Sequence, residues 1–428
     1  MKLHELHALF LKSNGVCTDT RNLAEGQLFF ALKGPSFNAN DFALQALEKG
    51  AIGVVVDGYF EEDHASLIKV PDPLRMLQQL ANYHRNTFTI PVLGLTGSNG
   101  KTTTKELISL VLGQKFKTLT TKGNLNNHIG VPLTLLGLNP SHEIAVIEMG
   151  ANHQGEISLL ASIAEPTHGL ITNFGKAHLE GFGGIHGVIK GKQELYQNLF
   201  TKEGVIFYNE KDPIQVEALK GHSSKIPYRV SNAEPSKTKN TLELLQESPR
   251  LMLRYKGLEI ESQLFGVYNA TNIAAALAIG DYFEVPLGLA AEAISSYIPS
   301  NMRSEILEIN GQHILLDAYN ANPSSMESAI RLFKSFDWSN KALILGDMFE
   351  LGEDAAEEHQ KIVYLLQELS FKHVYLVGSH FARTTSKFET FHSTEELLAQ
   401  FPPALRSSEL LVKGSRGMAL ERLLDKLK

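Results

Sequence analysis

The pattern of apolar and polar positions divides the chain into three parts. Residues 1–88 alternate short apolar runs with turns, which predicts a small α/β domain. From 89 to 300 the pattern alternates between strand and helix, as in a mostly parallel sheet covered by helices on both faces. The same alternation over 301–428 predicts a second doubly wound, Rossmann-like sheet. We therefore expect three α/β domains with these bounds.

The elements follow from the period of the apolar positions. Strands are predicted at 28–32, 52–56, 91–96, 144–149, 168–173, 204–208, 313–317, 341–346, 373–377 and 409–412. Helices are predicted at 41–49, 269–281, 323–334, 354–368 and 417–427, and antiparallel strands within 240–265.

The strand at 91–96 leads directly into a glycine turn that opens a helix. Gly97 and Gly100 allow a sharp turn, so that backbone N–H groups and the start of the helix face one anion. Lys101 would reach the β- and γ-phosphates of ATP, and the Thr102 hydroxyl would bind its magnesium ion. The spacing is G-x-x-G-K-T, shorter than the common form, and a chance strand, turn and helix is the alternative. The predicted ATP-binding residues of this turn are Gly97, Ser98, Asn99, Gly100, Lys101, Thr102 and Thr103.

Two further predicted strands lead into ionisable side chains. Glu148 lies in the strand at 144–149, where a buried carboxylate is costly unless it is paired or holds a metal. A magnesium ligand is the favoured interpretation, with a helix cap or a salt bridge as the alternative. His178 follows the strand at 168–173, in a loop where a plain hydrogen-bonding role is equally open. Because the carboxyl ends of parallel strands meet at one edge, we expect Lys101, Glu148 and His178 beside the same phosphates.

Composition limits the class of protein. The 428 residues are 43% hydrophobic and 20% charged, as in a soluble globular protein. A net charge of −7 without a long basic run argues against nucleic acid as a partner. The single cysteine, Cys17, excludes an internal disulfide framework and fits a reducing cytoplasm. No signal peptide is recognisable and no run approaches about 18 apolar residues, so we expect a cytoplasmic protein without stable membrane insertion.

Four motifs together resemble the Mur ligase family, and the resemblance spans the whole chain. They are Thr96-Gly97-Ser98-Asn99-Gly100-Lys101-Thr102-Thr103, Glu148-Met149-Gly150, Asn173-Phe174-Gly175-Lys176-Ala177-His178-Leu179-Glu180 and Asp317-Ala318-Tyr319-Asn320-Ala321-Asn322-Pro323. The resemblance implies an ATP-dependent, amide-forming enzyme of peptidoglycan precursor synthesis. Its domains would bind a uridine nucleotide, bind ATP, and bring in the incoming amine, in that order along the chain.

Within the family, three segments are most similar to the members that add D-alanyl-D-alanine to UDP-N-acetylmuramoyl-tripeptide. These segments are 123–134, 150–157 and 319–326. The D-N-P-R motif of the members that add diaminopimelate is not found. The resemblance therefore implies those two small molecules as substrates, together with ATP.

The resemblance also implies roles for individual residues. Lys101 and Thr102 would hold ATP and a first magnesium ion, with Glu148 as a further ligand, and His178 would serve a second ion. Lys192, four residues before Tyr196, would be carbamylated and support that second ion, with Lys190 as the fallback. The implied catalytic residues are Lys101, His178 and Lys192.

The remaining implied contacts concern the nucleotides and the other substrates. Asn269 and Asn272 would face adenine, and Arg303 and Asp317 would be added to the nucleotide site by the C-terminal domain. The substrate-binding candidates are Thr18, Asp19 and Arg21 for the uridine nucleotide, and Asn126, Asn127, Asn320 and Asn322. In the loop of the N-terminal domain where family members often have the sequence D-G-H, this chain has Asn38-Ala39-Asn40. Lys413-Gly414-Ser415-Arg416-Gly417 is a further polar strand end without an assigned role.

The expected reaction activates a carboxylate with ATP, because an amine cannot displace hydroxide or oxide from a carboxylate at neutral pH. The tripeptide carboxylate would attack the γ-phosphorus to give an acyl phosphate, which the dipeptide amine would then attack. Closure of the third domain over the second would be required. The alternatives are another Mur-type or a folylpolyglutamate-type ligase, or a P-loop protein that uses ATP only as a switch. We expect a monomer.

Overall fold

The computed structural model describes residues 1–60, 64–232, 238–247, 250–299 and 302–428. Within these ranges the strands form one larger sheet in each of the three predicted parts, and a short hairpin pairs Lys33–Gly34 with Phe37–Asn38. The predicted boundary between 300 and 301 lies outside the described residues, so the domain bounds remain a prediction. Every helix in the described ranges is too short or too polar to cross a lipid bilayer.

The N-terminal sheet is parallel and precedes the predicted phosphate-binding turn, residues 97–103. Its strands, in spatial order, are Val16–Cys17, Leu28–Phe30, Gly53–Val56 and Leu67–Lys69. Its helices are Leu3–Phe10, Ala43–Glu48 and Pro73–Arg85. The predicted helix at 41–49 is in fact a 3-10 turn over Ala39–Phe42 followed by Ala43–Glu48, because the Asn38 side chain accepts the Asn40 N–H and starts the turn earlier.

The central sheet carries the phosphate-binding turn. In spatial order its strands are Leu258–Glu261, Met252–Tyr255, Thr241–Gln246, Lys225–Ser231, Val205–Asn209, His168–Ile171, Val92–Thr96, Ile144–Glu148 and Thr118–Thr120. Pairing is parallel except at the two pairs made by Met252–Tyr255, which are antiparallel as predicted within 240–265. The strand predicted to reach residue 173 ends at Ile171, because the side chains of Thr172 and Asn173 turn to bind Asn99.

Helices cover both faces of this sheet because alternate strand residues point to opposite sides. Leu93 and Leu95 belong to one core and Val92 to the other. The first core is shared with helices Lys101–Gly113, Val267–Tyr282 and Leu287–Ser296. The second core is shared with helices Pro73–Arg85, Gly130–Leu135, Glu156–Ala164 and Ile185–Phe200. Short helices lie at Leu179–Phe182 and Pro213–Ala218.

The C-terminal sheet is doubly wound, as predicted. Its strands, in spatial order, are Glu305–Ile309, Gln312–Asp317, Glu409–Lys413, Lys341–Gly346, His373–Val377 and Glu389–Phe391. The first pair is antiparallel and the others are parallel. Its α-helices are Pro323–Ser335, Ala355–Glu368, Thr394–Ala399 and Leu424–Leu427. The two edge strands were not predicted from sequence.

The predicted helix at 417–427 is wrong. The segment forms 3-10 turns at Arg416–Met418 and Leu420–Leu423 before the last α-helical turn. Ala419 lies between the turns with φ of 49°, a left-handed conformation that no α-helix continues through. The Thr394 hydroxyl donates to the Met418 carbonyl (2.6 Å). A side chain from another helix thus binds a carbonyl that would accept a backbone hydrogen bond in a continuous α-helix.

Candidate active site

The phosphate-binding turn requires glycine at two positions. Gly97 has φ of 147° and Gly100 has φ of 77°, and Gly100 caps the start of helix Lys101–Gly113. A Cβ on Gly97 would lie 1.9 Å from the Thr172 hydroxyl, and one on Gly100 would lie 2.9 Å from Asn272 Oδ1. The backbone therefore approaches its neighbours more closely than any side chain would allow.

The loop after the neighbouring strand, His168–Ile171, stabilises this turn by hydrogen bonds. Asn99 O accepts hydrogen bonds from the Thr172 hydroxyl (2.7 Å) and from Asn173 Nδ2 (2.9 Å), and Asn99 N donates to Asn173 Oδ1 (3.1 Å). The Ser98 hydroxyl donates to the Gly175 carbonyl (2.7 Å). Two adjacent strand ends thus hold the turn in one conformation.

The Lys101 ammonium folds back over its own turn. Its Nζ donates to the carbonyls of Gly97 (2.8 Å) and Ser98 (3.2 Å). Burial, partly opposed by the charge of Glu148 and reinforced by that of Arg303, lowers the pKa of Lys101 to about 8. A bound polyphosphate would favour the charged form and raise this pKa.

Glu148 is a buried carboxylate with one oxygen left over. Glu148 is only 1% exposed to solvent. Its Oε1 accepts hydrogen bonds from Asn126 Nδ2 (2.8 Å) and from the Thr102 hydroxyl (3.3 Å). Oε2 is buried without a hydrogen-bond partner in the described part of the chain. An unpaired carboxylate oxygen beside a threonine hydroxyl suits an oxygen-preferring cation such as Mg²⁺.

The protein supplies few of the ligands that such an ion takes. Among the described residues, no three His, Cys, Asp or Glu side chains cluster closely enough to bind a metal. Mg²⁺ commonly completes its six positions with phosphate oxygens and water. Thr102 and Glu148 therefore fit a magnesium ion that arrives with a nucleotide, rather than one held by the protein alone.

His178 lines the same cavity as Lys101 and Glu148 but bonds across to the C-terminal domain. It has a left-handed backbone (φ 54°), and its Nδ1 forms a short contact with a carboxylate oxygen of Glu350. This hydrogen bond holds the pKa of Glu350 below its usual value. Glu350 was not singled out from the sequence, although it follows strand Lys341–Gly346 and the same strand-end argument applies to it.

Lys192 is buried and Lys190 is exposed. Lys192 Nζ donates to the Ala151 carbonyl (3.1 Å) and lies 4.9 Å from the centroid of the Phe182 ring. Burial, and then the charge of Lys101, lower the pKa of Lys192 well below its ordinary value. Of the two lysines on this helix, only Lys192 is thus inside the protein, where burial shifts its ionisation towards the neutral amine.

The residues predicted to contact the nucleotide line the cavity as well. Asn269 Nδ2 donates to the Phe265 carbonyl (2.8 Å), and Asn272 Nδ2 donates to Asn269 Oδ1 (2.9 Å). The Arg303 guanidinium stacks on the Tyr319 ring, with Cζ 3.8 Å from its centroid. Asp317 Oδ2 accepts from the buried Lys413 ammonium (2.6 Å), which fixes this carboxylate at the end of its strand.

The four candidate asparagines line the cavity, and each also has a bond within the protein. Asn126 binds Glu148, Asn127 Oδ1 accepts the Gly130 N–H (2.9 Å), and Asn320 Oδ1 accepts the Ala321 N–H (2.9 Å). Asn322 caps helix Pro323–Ser335 and its Nδ2 donates to Asn99 Oδ1 (2.7 Å). The last bond joins the C-terminal domain directly to the phosphate-binding turn.

The candidates for the uridine nucleotide lie elsewhere. Thr18, Asp19 and Arg21 are in the N-terminal domain and do not line the cavity. Hydrogen bonds from the Arg21 side chain and backbone N–H lower the pKa of the Asp19 carboxyl to about 2. In the loop where Asn38-Ala39-Asn40 stands in place of D-G-H, Asn40 Nδ2 donates to Asp57 Oδ1 (2.7 Å).

The cavity between the central and C-terminal domains has a volume of about 1190 Å³. Lys101, Glu148 and His178 all line it, together with Arg303 and Asp317 from the C-terminal part of the chain. The cavity therefore brings the glycine turn and the buried Glu148 carboxylate together at the boundary between two domains. An arrangement of this kind can bind a nucleoside triphosphate and place a second reactant against it.

Comparisons with known proteins agree with this arrangement. Residues 95–280 match the Mur ligase middle domain and residues 302–420 match the Mur ligase, glutamate ligase domain. Two relatives named UDP-N-acetylmuramoyl-tripeptide--D-alanyl-D-alanine ligase come from Bacillus subtilis and Escherichia coli. The first is 36% identical, covering 97% of this chain and 93% of the relative, and the second is 34% identical, covering 99% and 95%.

Solved structures show the same fold. MurF from Acinetobacter baumannii superimposes with a TM-score of 0.88 at 29% identity, covering 100% of this chain and 98% of the other. MurF ligase from Thermotoga maritima in complex with ADP has a TM-score of 0.85 at 24% identity, covering 98% and 97%. The resemblance identified from the sequence motifs is thereby confirmed, and this chain belongs to the Mur ligase family.

Proposed function

We propose that this protein is an ATP-dependent ligase that joins D-alanyl-D-alanine to UDP-N-acetylmuramoyl-tripeptide in peptidoglycan precursor synthesis. Relatives with this name match it over nearly the whole length of both chains. The observation that carries the proposal is the shared cavity, where the phosphate-binding turn, the buried Glu148 and the C-terminal domain meet.

The proposed reaction has two steps. The terminal carboxylate of the tripeptide attacks the γ-phosphorus of ATP, which forms an acyl phosphate and releases ADP. The amine of D-alanyl-D-alanine then attacks the acyl carbon, and phosphate leaves as the amide forms. Lys101 and the backbone N–H groups of the turn stabilise negative charge on the phosphates, and the C-terminal domain positions the amine.

We propose Thr102 and Glu148 as the ligands of one magnesium ion. Bound with ATP, this ion would neutralise phosphate charge and polarise the γ-phosphoryl group. For a second ion we propose His178, whose Nε2 is not used by the Glu350 bond, and a carbamate on Lys192. A neutral Lys192 amine adds CO₂ and loses one proton to give that carboxylate, and burial of Lys192 favours the neutral form.

The nucleotide contacts are also part of the proposal. Asn269 and Asn272 would bind the adenine, and Arg303 and Asp317 would complete the ATP site after domain closure. Thr18, Asp19 and Arg21 would bind the uridine nucleotide in a separate N-terminal domain, so that the long substrate would reach from that domain to the cavity. Asn126, Asn127, Asn320 and Asn322 would contact the substrates at the cavity wall.

We further propose a monomeric protein of the cytoplasm. The single cysteine suits a reducing compartment such as the cytoplasm. Size-exclusion chromatography with light scattering tests the oligomeric state: a mass of about twice the chain's 47.2 kDa would contradict it.

The function is tested by incubating the full chain with ATP, UDP-N-acetylmuramoyl-tripeptide and D-alanyl-D-alanine. We expect mass spectrometry to detect the pentapeptide product, and steady-state ADP release over many turnovers to require both of the other substrates. Glutamate or diaminopimelate as the acceptor amine, and a folate as the carboxylate substrate, serve as comparisons that identify a related ligase. Slow ATP hydrolysis that ignores all acceptors, with no amide formed, would favour a nucleotide switch and contradict the proposal.

A further inference from the structure

The cavity wall holds a cation that the proposed nucleotide site does not use. Among the described residues, the lysines and arginines that line the cavity are Lys101, Arg303, Lys413 and Arg416. The first two are proposed for ATP, and Lys413 is 1% exposed and paired with Asp317. Arg416 is the cation left without a role.

The Arg416 guanidinium has hydrogen-bonding capacity to spare. Its side chain is 56% exposed, and Nη1 contacts the Met302 sulfur (3.3 Å), a weak acceptor. Glu421 Oε1 lies 3.5 Å from Nη1, and the other oxygen of Glu421 is buried without a partner in the described ranges. A guanidinium carries five N–H donors, so Glu421 can hold this group by charge and leave donors available for a ligand.

Phe349 supplies an apolar surface beside Arg416. Its ring lines the cavity and packs on Gly417, where an added Cβ would lie 2.8 Å from the ring. The Phe349 N–H donates to the Ser415 hydroxyl (2.9 Å), which ties together the loops after strands Lys341–Gly346 and Glu409–Lys413. Arg416 and Phe349 are therefore fixed on one wall of the cavity by the fold of the C-terminal domain.

We propose that Arg416 binds the carboxylate of the incoming dipeptide and that Phe349 contacts its methyl groups. This inference rests on the proposed function, which makes D-alanyl-D-alanine the amine substrate. That molecule has one amine that reacts, one carboxylate that does not, and two methyl side chains. Arginine binds carboxylates with two parallel hydrogen bonds, and holding the unreactive end directs the amine towards the acyl phosphate.

The test combines a variant enzyme with a variant substrate. In R416M we expect the KM for D-alanyl-D-alanine to rise by about 10- to 100-fold, the range for loss of a charge-assisted pair. The KM values for ATP and for the nucleotide peptide stay as in the wild type. The wild type disfavours D-alanyl-D-alaninamide, which lacks the charge, by a similar factor, whereas R416M accepts the dipeptide and its amide equally.

A second arginine of the same domain provides the control. Arg422 pairs with Glu395 and does not line the cavity, so R422M keeps the wild-type preference for the free carboxylate. R416K keeps the positive charge but lacks the planar guanidinium group, and we expect it to retain part of that preference. It serves as the working variant if circular dichroism shows that R416M is unfolded.

Three outcomes would contradict the inference. A wild type that ligates the dipeptide and its amide equally well, or an R416M enzyme that keeps the wild-type preference, would exclude a carboxylate contact at Arg416. A rise in the KM for ATP alone would assign Arg416 to the nucleotide. A wild type that forms no product with the dipeptide would instead overturn the proposed function, and this inference with it.

Discussion

At the scale of single residues, the tight contact at Gly97 decides whether the phosphate-binding turn can form. Its φ of 147° and the 1.9 Å approach of an added Cβ to the Thr172 hydroxyl leave no conformation for alanine. We expect G97A to lose ATP binding and at least about 99% of its ligase activity, because the turn must move to relieve the clash. Isothermal titration calorimetry with ATP and the ligation assay measure both effects.

Gly113 provides the matched control for this substitution. It is the last residue of the helix that follows the turn, and an added Cβ there meets no atom within 4 Å. G113A should therefore keep ATP binding and raise the free energy of unfolding by about 0.5–1 kcal/mol. Equal ATP affinity in G97A and G113A would show that the turn does not hold the phosphates.

Glu148 is predicted to act through its charge. Glutamine has nearly the same size and can still accept the bond from Asn126, so E148Q should fold normally. We expect the kcat of E148Q to fall by about 100-fold or more. The variant should also need a higher magnesium concentration for activity, because a neutral amide is a poorer magnesium ligand than a carboxylate. Activity as a function of magnesium concentration measures this, and E217Q, at an exposed residue paired with Lys220, is the control. An E148Q enzyme with wild-type magnesium dependence would argue against a metal ligand.

At the scale of elements, two helices of the N-terminal domain meet the central domain through buried histidines. His84 Nε2 contacts the Leu138 carbonyl (3.0 Å) and therefore carries a proton, so its Nδ1 accepts from His7 Nε2 (3.0 Å). This chain of bonds requires a neutral His84 ring, because a proton on its Nδ1 would remove the acceptor for His7. Burial lowers the pKa of both, and for His7 the charge of His84 lowers it further.

This pair predicts acid sensitivity. Both folded-state pKa values lie below the ordinary 6.5, so the unfolded chain binds more protons as the pH falls past that value. Stability is therefore full above about pH 6.5 and decreases below it. We expect the thermal midpoint to drop by a few degrees between pH 7.5 and 5.5, and to drop less in H84Q, which offers a donor and an acceptor without titrating. An identical pH dependence in the two proteins would contradict this prediction.

Helix geometry explains which lysine is buried. Residues two apart on a helix point roughly 200° away from each other, so Lys190 and Lys192 cannot face the same side. The apolar residues Val188, Leu195 and Leu199 are buried on the side that also carries Lys192. This placement could have been predicted from the helical period of the sequence, without reference to any family.

At the scale of the whole molecule, the loop after strand His168–Ile171 connects the two domains that form the cavity. Lys176 Nζ donates to Glu358 Oε1 (2.7 Å) and Lys176 N donates to the Ser324 hydroxyl (3.2 Å). His178 bonds Glu350 in the same direction. These contacts hold the C-terminal domain against the phosphate-binding turn, where the second reactant has to arrive.

The Lys176–Glu358 pair is predicted to stabilise the closed arrangement. Glu358 is buried but Lys176 is partly exposed, so solvent screening limits the coupling to about 0.5–1 kcal/mol. In a double-mutant cycle of K176M, E358Q and the double variant, each single change should lower kcat/KM by up to about fivefold, and the effects should not add. The control is R331M, which breaks a pair within helix Pro323–Ser335. Strictly additive effects would show that the pair does not contribute to closure.

The sequence by itself determined most of the longer helices and strands, although not the edge strands of the C-terminal sheet or the segment at 417–427. The strand, glycine turn and helix at 92–113 are set by local backbone preferences, and the polar ends of parallel strands follow from topology. The family could be recognised for the same reason, because its motifs are short and lie at these positions.

Only the tertiary structure decided which distant side chains meet. His178 and Glu350 are 172 residues apart in the chain, and Asn99 and Asn322 are 223 apart, so no local pattern links them. The break at Ala419 and the position of Arg416 on the cavity wall likewise depend on contacts with other elements. The physical reason is that backbone preference acts over a few residues, whereas packing selects partners from the whole folded chain.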